Sequence, residues 1–535
     1  MKRDFAALKE PFDLIIIGGG IIGTGAARDA ALRGLRTLIV EREDFGYGTT
    51  SRSTRLIHGG LRYLAQFDFG LVHKDLHERE ILLKIAPHLV HRLEFVIPLL
   101  KSAPYYRVTL PFGLWLYNRF SHGSSLPPSN HLSAKEALAM EPSLKDTAGL
   151  VGAYLYYDGQ AAYTERLCIE NLIDASAHGA VILNHTLATE LLSRDGTVTG
   201  VKIKDLLSGG EHSVSGRIIL NASGPWADTV LHKVENGRGY ALRKTKGIHL
   251  FTDKISNNAL VLFAKSDGRL FFVIPLLGHS LIGTTDTDYT GDLDKVHAEK
   301  ADVDYLVSEL GHYFPSFKRE MIHYTYAGLR PLVPSGKKSA SKTSRAHRLV
   351  DHEPQDGVKG FVSVLGGKNT AYRGIAEEAV NLIVNKLGMK ANCTTAQTQL
   401  PGAPAVSAAE IEKVSAQSGL PTDTISHLAS IYGSRYGKVL AYAREEKRLG
   451  NPISHGGKDI LAQIKQAVKE EAAVSVSDFM MRRSLISLRP EQGLDAVEAV
   501  AKEMAALLGW NAAETSRQVA EYSAMAALGQ LYKGE

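Results

Sequence analysis

The hydrophobic pattern opens with a strand, a helix and a second strand. Residues 15–17 are an isoleucine run that predicts a short buried strand, and small and apolar residues over 24–32 predict the helix that follows. Residues 37–40 predict the next strand. Strands of a parallel sheet covered on both faces are continuous apolar runs. We therefore expect residues 12–60 to begin with a β-α-β unit.

The next part of the chain continues this mixture of helices and strands. Apolar residues among charges over 71–86 predict an amphipathic helix, and residues 165–177 predict another, which leads into a strand at 180–183. The alternation over 187–206, with Asp-Gly in the middle, predicts a hairpin. A buried strand is predicted at 217–220.

From about residue 240 to 330 the pattern changes to short alternating segments. These segments predict the strands of an antiparallel sheet, which is typical of a separate substrate domain. The predicted strands are 247–251, 260–263, 270–275 and 280–284.

Residues 362–365 predict a further buried strand, and an alanine-rich pattern with helical period follows residue 404. We expect interleaved nucleotide-binding and substrate domains over 1–395, a linker over 396–404, and a helical domain over 405–535. The nucleotide-binding part is assigned mainly to 12–90, 150–240 and 345–390, and the substrate part mainly to 91–149 and 241–344.

Length and composition narrow the class of protein. A chain of 535 residues exceeds the usual size of one hydrophobic core, and 44% hydrophobic with 22% charged residues is ordinary for a globular protein. The net charge of +5 permits anionic substrates or an anionic membrane surface. No concentrated Lys/Arg stripe points to nucleic acid.

Cysteine content and apolar segments indicate the compartment. Two cysteines give neither a disulfide framework nor a metal site, so we expect a reducing compartment and no metal. The charged N-terminus does not resemble a signal peptide, and no run of about 18 apolar residues predicts a transmembrane helix. We expect a cytoplasmic protein that is free to attach to a membrane surface.

Segment 95–125 mixes aromatic and leucine side chains with Lys101, Arg107, Arg119 and His122. That composition is typical of a membrane–water interface. It is equally typical of a lid or core piece of a domain, and the sequence leaves both interpretations open.

The glycines after the first strand predict the bound ligand. Gly18, Gly20 and Gly23 have the G-x-G-x-x-G spacing, in which the first makes a tight turn and the second lets the backbone approach a pyrophosphate. The third lets helix and strand pack closely, and the helix N-terminus favours negative charge. Glu41, at the end of the second strand, is predicted to accept hydrogen bonds from a ribose hydroxyl. An adenine dinucleotide is expected, either NAD or FAD.

Residues 49–63 form a second polar cluster. Hydroxyls, glycines and basic residues follow the ribose-binding strand directly, as expected of a loop that runs along a pyrophosphate and under a redox ring. We assign cofactor binding in this loop to Thr50, Ser51, Ser53, His58, Gly59 and Gly60.

Beyond these patterns, the chain resembles the FAD-dependent, respiratory type of glycerol-3-phosphate dehydrogenase. The matching motifs extend from residue 15 to 373, and further likeness is found at 475–486 and 508–510. They are IIIGGGIIGTG (15–25), SRSTRLIHGGLRYL (51–64), NASGPW (221–226), KGIHL (246–250), FFVIPL (271–276), IGTTD (282–286), YAGLRPL (326–332) and LGGKNTAYR (365–373).

The resemblance implies an α/β fold with a Rossmann-like, glutathione-reductase-like FAD domain, an antiparallel-sheet substrate domain and a helical C-terminal domain. It implies oxidation of sn-glycerol 3-phosphate to dihydroxyacetone phosphate, with hydride to flavin N5 and electrons passed to a membrane quinone. A quinone acceptor would account for peripheral attachment to the inner face of the cell membrane, and a homodimer is among the assemblies allowed. Further cofactor contacts are then expected at Gly224, Gly366, Gly367, Lys368, Asn369 and Thr370.

Residue chemistry suggests how such a substrate is held. Arginines bind a phosphate dianion bidentately, and Arg62, Arg330 and Arg345 are the candidates, with Tyr63 as a neutral donor. The resemblance implies substrate contact for Arg330.

Proton transfer and charge stabilisation need further residues. His249 is our candidate for the general base, with His58 as the alternative. Lys368 would add positive charge near the flavin or the substrate. Thr284, Thr285 and Asp286 are interpreted as turn residues.

One segment departs from the family pattern. Residues 157–167 read YDGQAAYTERL where the family usually has an acidic pair and an Ala-Arg-Leu run, which affects local hydrogen bonding. Three alternatives stay open: a glycerol-3-phosphate oxidase that makes hydrogen peroxide, an amino-acid or amine oxidase on the same fold, and a non-catalytic interaction protein.

Overall fold

Two large β-sheets and a C-terminal set of helices make up the molecule. The computed structural model describes residues 1–66, 68–121, 123–233, 242–334 and 346–534, without the side chains of residues 62, 65 and 66. The strands are β1 (Phe12–Ile17), β2 (Thr37–Val40), β3 (Leu56–Ile57), β4 (His91–Leu100), β5 (Asn130–Ser133), β6 (Leu150–Gln160), β7 (Val181–Leu183), β8 (Thr186–Arg194), β9 (Thr197–Asp205), β10 (Glu211–Asn221), β11 (Arg243–Thr252), β12 (Ala259–Phe263), β13 (Leu270–Leu276), β14 (His279–Gly283), β15 (Thr287–Asp288), β16 (Ile322–Leu332), β17 (Arg348–Asp351) and β18 (Phe361–Leu365).

Helices connect these strands and continue beyond them. The α-helices are α1 (Ile21–Leu32), α2 (Phe69–Ile85), α3 (Pro104–Phe120), α4 (Ala134–Met140), α5 (Thr164–Ala177), α6 (Ala227–Leu231), α7 (Lys300–Gly311), α8 (His352–Asp356), α9 (Tyr372–Lys386), α10 (Ala408–Ser418), α11 (Thr422–Tyr432), α12 (Tyr436–Glu445), α13 (Leu461–Glu470), α14 (Val476–Arg482), α15 (Val497–Leu508) and α16 (Ala512–Ala527).

The first sheet has the order β17-β18-β10-β1-β2-β7. The four pairings from β18 to β7 are parallel, and β17 pairs antiparallel with β18 at the edge. The hairpin β8–β9 also joins this sheet, through an antiparallel pairing of β9 with the first half of β10. Helices α1, α5 and α9 bury apolar residues against one face of this sheet. The hairpin β8–β9 covers the other face. The predicted dinucleotide-binding architecture is therefore present, with β1 at its centre.

The second sheet has the order β15-β11-β14-β13-β12-β4-β6-β3, with β16 paired to β11 and β5 to β6. The predicted strands at 247–251, 260–263 and 270–275 lie inside β11, β12 and β13. One face packs on α2 and α3, and the other packs on α4 and α7. The sheet is mostly antiparallel, as predicted for this part of the chain, and its assignment as a substrate domain stays a prediction.

The structure shifts one sequence-based boundary. Residues 150–160 were predicted to belong to the nucleotide-binding part, but β6 pairs with β4 along almost its whole length in the second sheet. Strand β3, at 56–57, also joins that sheet through β6. Strand β6 has partly exposed residues along its whole length, whereas parallel strands such as β1 are almost fully buried.

Segment 95–125 is part strand and part helix. Its first residues complete β4, and 104–120 form α3, whose Leu114 and Tyr117 are buried while Phe112 and Trp115 are 67% and 60% exposed. His122 lies outside the described residues. Among the described residues, no helix combines the length and apolar character needed to span a bilayer.

Candidate active site

Two adjoining cavities lie where the sheets meet. The first follows the carboxyl ends of β1, β2 and β10, and the second lies between the first sheet's loops and strands β11 and β16. Both cavities share the same residues at their junction, namely Thr49, Pro331, Gly367, Lys368 and Asn369. An elongated ligand therefore has a continuous path from the nucleotide-binding sheet to the substrate sheet.

The glycines of the first loop differ in what surrounds them. Gly18 has φ +110°, and a Cβ there would lie 2.7 Å from the carbonyl oxygen of Ala222. A Cβ on Gly23 would lie 2.0 Å from the carbonyl oxygen of Gly18. A Cβ on Gly20, by contrast, meets only Thr50 Oγ1 at 3.6 Å. Two glycines are thus required by the protein itself, while Gly20 leaves open space toward the first cavity, as a bound pyrophosphate requires.

Glu41 stands at the end of β2 and lines the first cavity. Its carboxylate accepts hydrogen bonds from the backbone N–H of Gly19 (2.6 Å) and of Glu43 (2.9 Å). Burial raises the pKa of this carboxyl group, and those two donors act in the opposite direction. The side chain is fixed at the cavity wall, and its hydrogen bond to a ribose hydroxyl stays a prediction.

The hydroxyl residues of the second loop have different roles. Thr50 Oγ1 accepts from the N–H of Ile21 (3.1 Å) at the start of α1 and lines the first cavity. Ser53 lines the second cavity, where its Oγ accepts from Arg55 N. Ser51 lines neither cavity, because its hydroxyl donates back to the carbonyls of Tyr47 and Gly48. The cofactor contact assigned to Ser51 stays a prediction.

Hydrogen bonds from its backbone to buried side chains hold the end of the same loop in place. His58 and Gly60 line the second cavity, whereas Gly59 does not. The N–H of Gly59 instead donates to Tyr117 Oη (3.1 Å) and to Asp158 Oδ1 (3.3 Å). Asp158 belongs to the segment that departs from the family pattern, so that segment supports the backbone of this loop.

The late glycine loop closes the junction between the cavities. Gly366 and Gly367 have φ of +74° and +107°, a conformation that favours glycine, and both line the first cavity. Gly224, at φ +57°, lies on the opposite side of that cavity. Thr370 Oγ1 accepts from the N–H of His58 (3.1 Å), which joins this loop to the second one. Asn369 Nδ2 is buried, with no protein hydrogen-bond partner in the described part of the chain.

Lys368 reaches the second cavity but is already engaged by protein groups. Its ammonium group forms an ion pair with the buried carboxylate of Asp75 on α2. It also lies 4.7 Å from the ring centroid of Tyr63, which is buried. The predicted residues Lys368 and Tyr63 are thus brought together, and Asp75 joins them without any signal in the sequence motifs.

Arg330 lies on β16 and faces the second cavity. Its guanidinium donates to Thr284 Oγ1 (2.7 Å), to the carbonyl of Thr285 (3.1 Å) and to Asp286 Oδ1 (3.3 Å). A Cβ on Gly247 of the neighbouring strand would lie 2.2 Å from this guanidinium, so a glycine is needed for it to lie across β11. Residues 284–286, interpreted from the sequence as a turn, therefore fix the position of the arginine.

His249 lines the second cavity from β11 and is almost fully buried. Its Nε2 is 2.9 Å from Thr54 Oγ1, and its Nδ1 has no hydrogen-bond partner among the described residues. Burial lowers the pKa of His249 to about 3, and the positive charges of Arg330 and Arg55 lower it further. The imidazole is therefore neutral at physiological pH, and one of its ring nitrogens carries an unprotonated lone pair.

Two of the predicted substrate residues are Arg62 and Arg345. Arg345 lies outside the described residues, and so does the side chain of Arg62. The roles suggested for them stay predictions from the sequence.

The residues present fit an FAD molecule. The open backbone at Gly20, the start of α1 and the positive-φ glycines suit a pyrophosphate, and the unpartnered amide of Asn369 faces a junction that a ring system would cross. The second cavity then offers the cationic residue Arg330 and the neutral base His249 at the ring end.

Comparison with known proteins identifies the two parts of the chain separately. Residues 13–373 match the family model described as FAD dependent oxidoreductase. Residues 393–515 match the model described as the C-terminal domain of alpha-glycerophosphate oxidase.

Full-length relatives carry consistent names. A glycerol-3-phosphate dehydrogenase from Synechocystis is 38% identical and covers 97% of each chain, and an aerobic glycerol-3-phosphate dehydrogenase from Staphylococcus haemolyticus is 34% identical over 94% of this chain and 92% of its own. The crystal structure of the glycerol-3-phosphate dehydrogenase from Bacillus halodurans complexed with FAD superposes with a TM-score of 0.79 at 29% identity, covering 98% of this chain and 96% of that one. An FAD-bound L-alpha-glycerophosphate oxidase from Mycoplasma pneumoniae (TM-score 0.54, 18% identity, 73% and 99% covered) shares the fold.

Proposed function

The chain belongs to the FAD-dependent glycerol-3-phosphate dehydrogenases, and on that premise we propose that it delivers the electrons of sn-glycerol 3-phosphate to a membrane quinone. The proposed product is dihydroxyacetone phosphate, formed by oxidation of the C2 hydroxyl. Bound FAD supplies the hydride acceptor. The protein residues are left to bind the phosphate, orient C2 and accept the hydroxyl proton.

Arg330 is the single observation that carries the substrate assignment. It brings a fixed guanidinium into the second cavity, and the fork of a guanidinium matches a phosphate bidentately. Its hydrogen bonds to Thr284, to the Thr285 carbonyl and to Asp286 hold the guanidinium at the cavity wall. A dianionic substrate is therefore favoured over a neutral polyol such as glycerol.

His249 is proposed to accept the C2 hydroxyl proton. In the absence of substrate its low pKa makes it a weak base. A bound phosphate dianion would neutralise the charge of Arg330, which is one of the groups that depress that pKa. Substrate binding is thus expected to raise the basicity of His249 at the moment when a base is needed.

Helix α3 supports the proposed membrane attachment. Four large side chains recur at intervals of three, four and three residues, which places them on one face of the helix. They are Tyr105, Val108, Phe112 and Trp115, and each is at least 60% exposed. Exposed Lys101, Arg107 and Arg119 lie around this face, as expected of a helix in the plane of an anionic membrane surface.

Anaerobic flavin bleaching tests the reductive half-reaction. The purified holoenzyme is mixed with glycerol 3-phosphate, glycerol or a panel of amino acids, and the visible flavin absorbance is followed. Bleaching by glycerol 3-phosphate alone is expected. Bleaching by an amino acid, or by none of these compounds, would overturn the substrate assignment.

Vesicle flotation tests the membrane surface. The Phe112→Ser/Trp115→Ser variant is expected to lose binding to anionic vesicles at least tenfold while keeping flavin bleaching. Leu206→Ser/Leu207→Ser is the matched control, because these two residues are similarly exposed on the β9–β10 loop. Equal flotation of both variants and the unaltered protein would remove α3 from the proposal.

The match of residues 393–515 to an oxidase C-terminal domain favours oxygen as the rival acceptor. Reoxidation of the reduced protein distinguishes the two acceptors. Reoxidation by a short-chain quinone much faster than by dissolved oxygen supports the dehydrogenase. Stoichiometric hydrogen peroxide at a comparable rate would favour the oxidase.

A further inference from the structure

Three side chains from distant parts of the sequence meet at one end of the second sheet. Asp253 follows β11, His279 begins β14 and His323 is the second residue of β16. One potential ligand atom from each residue lies within 4.8 Å of those of the other two. These strands are neighbours in the sheet, so the cluster is built on the rigid ends of three adjacent strands.

One ring nitrogen of each histidine lies within 4.8 Å of the Asp253 carboxylate. His323 Nε2 lies 2.9 Å from Asp253 Oδ1, whereas His279 Nδ1 is buried and has no hydrogen-bond partner among the described residues. The two rings are 5.6 Å apart and nearly perpendicular, at 89°. Phe251 packs against both of them, at 5.0 Å and 6.2 Å, and limits their rotation.

We propose that Asp253, His279 and His323 form a binding site for Zn²⁺. Two imidazole nitrogens and one carboxylate oxygen are a common ligand set for zinc, with water in the fourth position. Mg²⁺ and Ca²⁺ prefer sets made only of oxygen, so this cluster discriminates against them. This site lies apart from the two cavities and uses none of their residues.

Zinc binding would require the three ligand atoms to move only slightly closer together. Zinc bonds of about 2.0 to 2.2 Å imply ligand atoms roughly 3.3 Å apart in a tetrahedron. All separations in the cluster are within 4.8 Å, so none must decrease by more than about 1.5 Å, which side-chain rotations of the partly exposed Asp253 and His323 can supply.

A second group of potential metal ligands is unsuitable for binding a metal ion. Asp44, His185 and Asp478 also meet, in the interior. The guanidinium groups of Arg482 and Arg483 already bind the Asp44 carboxylate, both at 2.7 Å. Two fixed positive charges beside the cluster would repel a metal ion, whereas within the described residues no arginine or lysine forms an ion pair with Asp253.

Zinc at this site would also affect the C-terminal segment, which contacts one of the three strands. The side chain of Gln530, in the 3-10 helix Leu528–Lys533 near the C-terminus, donates to the carbonyl of His323 (2.6 Å). Metal binding would therefore hold together the ends of β11, β14 and β16, and the C-terminal segment rests on β16 at this point. The expected consequence is resistance to unfolding, since an ion that binds only the folded state stabilises it.

The test is a zinc titration of the full-length holoenzyme after chelator treatment and dialysis. Calorimetry is expected to show one site per chain for Zn²⁺ and none for Mg²⁺, and Co²⁺ is expected to give the visible absorption of a tetrahedral site. Thermal unfolding should shift upward with Zn²⁺ by several degrees. Flavin content and bleaching are measured alongside and are expected to stay unchanged.

Variants make the assignment specific. His279→Ala and Asp253→Asn are each expected to weaken Zn²⁺ binding at least tenfold and to abolish the thermal shift. His178→Ala is the control, because the exposed His178 pairs with Asp174 (3.3 Å) and the described residues offer no third ligand there. Absence of zinc binding in the unaltered protein, or undiminished binding in His279→Ala and Asp253→Asn, would overturn the proposal. If only one of these two variants folds, zinc binding by that variant is sufficient to test the proposal.

Discussion

Lys368 in the loop before α9 forms a buried ion pair with Asp75 in the middle of α2. Burial raises the pKa of the Asp75 carboxyl, and the ammonium of Lys368 opposes that shift by favouring the charged form. Asp75 Oδ1 has no hydrogen-bond partner among the described residues, so the lysine is its main stabilising contact. The aspartate in turn fixes the cation at the junction of the two cavities.

A double-mutant cycle tests this relationship. Lys368→Met leaves a buried carboxylate unpaired and is expected to destabilise the protein by about 3 kcal/mol or more. Asp75→Asn removes that charge, so the double variant should recover much of the lost stability without recovering turnover. Thermal unfolding and steady-state kinetics of all four proteins measure both effects. Additive losses of stability would show that the pair is not coupled.

Arg330 is predicted to determine affinity for the phosphate. Arg330→Ala is expected to lower kcat/KM for glycerol 3-phosphate about 100-fold or more, because a charged hydrogen-bonded pair is worth about 3 kcal/mol. FAD content should be unchanged. Arg243→Ala is the matched control, since Arg243 begins strand β11, pairs with Asp288 and lines neither cavity.

Thr284→Val tests separately whether the Thr284 hydroxyl holds Arg330 in position. It removes the 2.7 Å hydrogen bond to Arg330 and keeps the shape of the side chain. Its effect is expected to be smaller, roughly tenfold in kcat/KM. Normal kinetics in Arg330→Ala would exclude the arginine from the substrate site.

Local signals account for what the sequence predicted. The strand-helix-strand unit and its glycines follow from periodicity and from backbone conformation, which depend on neighbouring residues. The same holds for the hairpin at 195–196 and for strands β11 to β13. These elements required no knowledge of tertiary contacts.

Contacts between distant residues account for what the sequence did not predict. Lys368 and Asp75 are 293 positions apart, and Asp253, His279 and His323 follow no ligand spacing. The residues of β6 do not identify the sheet to which it belongs until its partner β4 is known. Such relationships are created by topology, so no motif records them.

Gly20 and Gly23 are predicted to fail in different ways when substituted. Gly20→Val should fold, because only Thr50 Oγ1 lies near the new Cβ, but its side chain would occupy the space of the pyrophosphate. We expect folded protein that has lost its flavin absorbance. Gly23→Val should destabilise the protein itself, because its Cβ would lie 2.0 Å from a backbone oxygen.

Visible absorbance relative to protein absorbance measures flavin content in these variants, and circular dichroism measures folding. Gly311→Val serves as the control, since none of the described atoms lies within 4 Å of a Cβ at that position and Gly311 lines neither cavity. Full flavin content and activity in Gly20→Val would refute the predicted role of the first loop.

His88 is predicted to make stability depend on acid pH. It is almost fully buried, both ring nitrogens lack a hydrogen-bond partner among the described residues, and burial lowers its pKa to about 4, although Glu170 acts in the opposite direction. The unfolded chain binds a proton near pH 6.5, whereas the folded chain resists protonation until about pH 4, so stability falls as the pH decreases through this interval.

The expected loss from this one residue is about 2.5 kcal/mol between pH 7.5 and 4.5. His88→Met removes the titrating group and keeps an adaptable apolar side chain, so its thermal midpoint should fall less between these two pH values than that of the unaltered protein. His178→Met is the control, because His178 is exposed. An equal acid-induced decrease in all three proteins would show that His88 does not contribute to acid sensitivity.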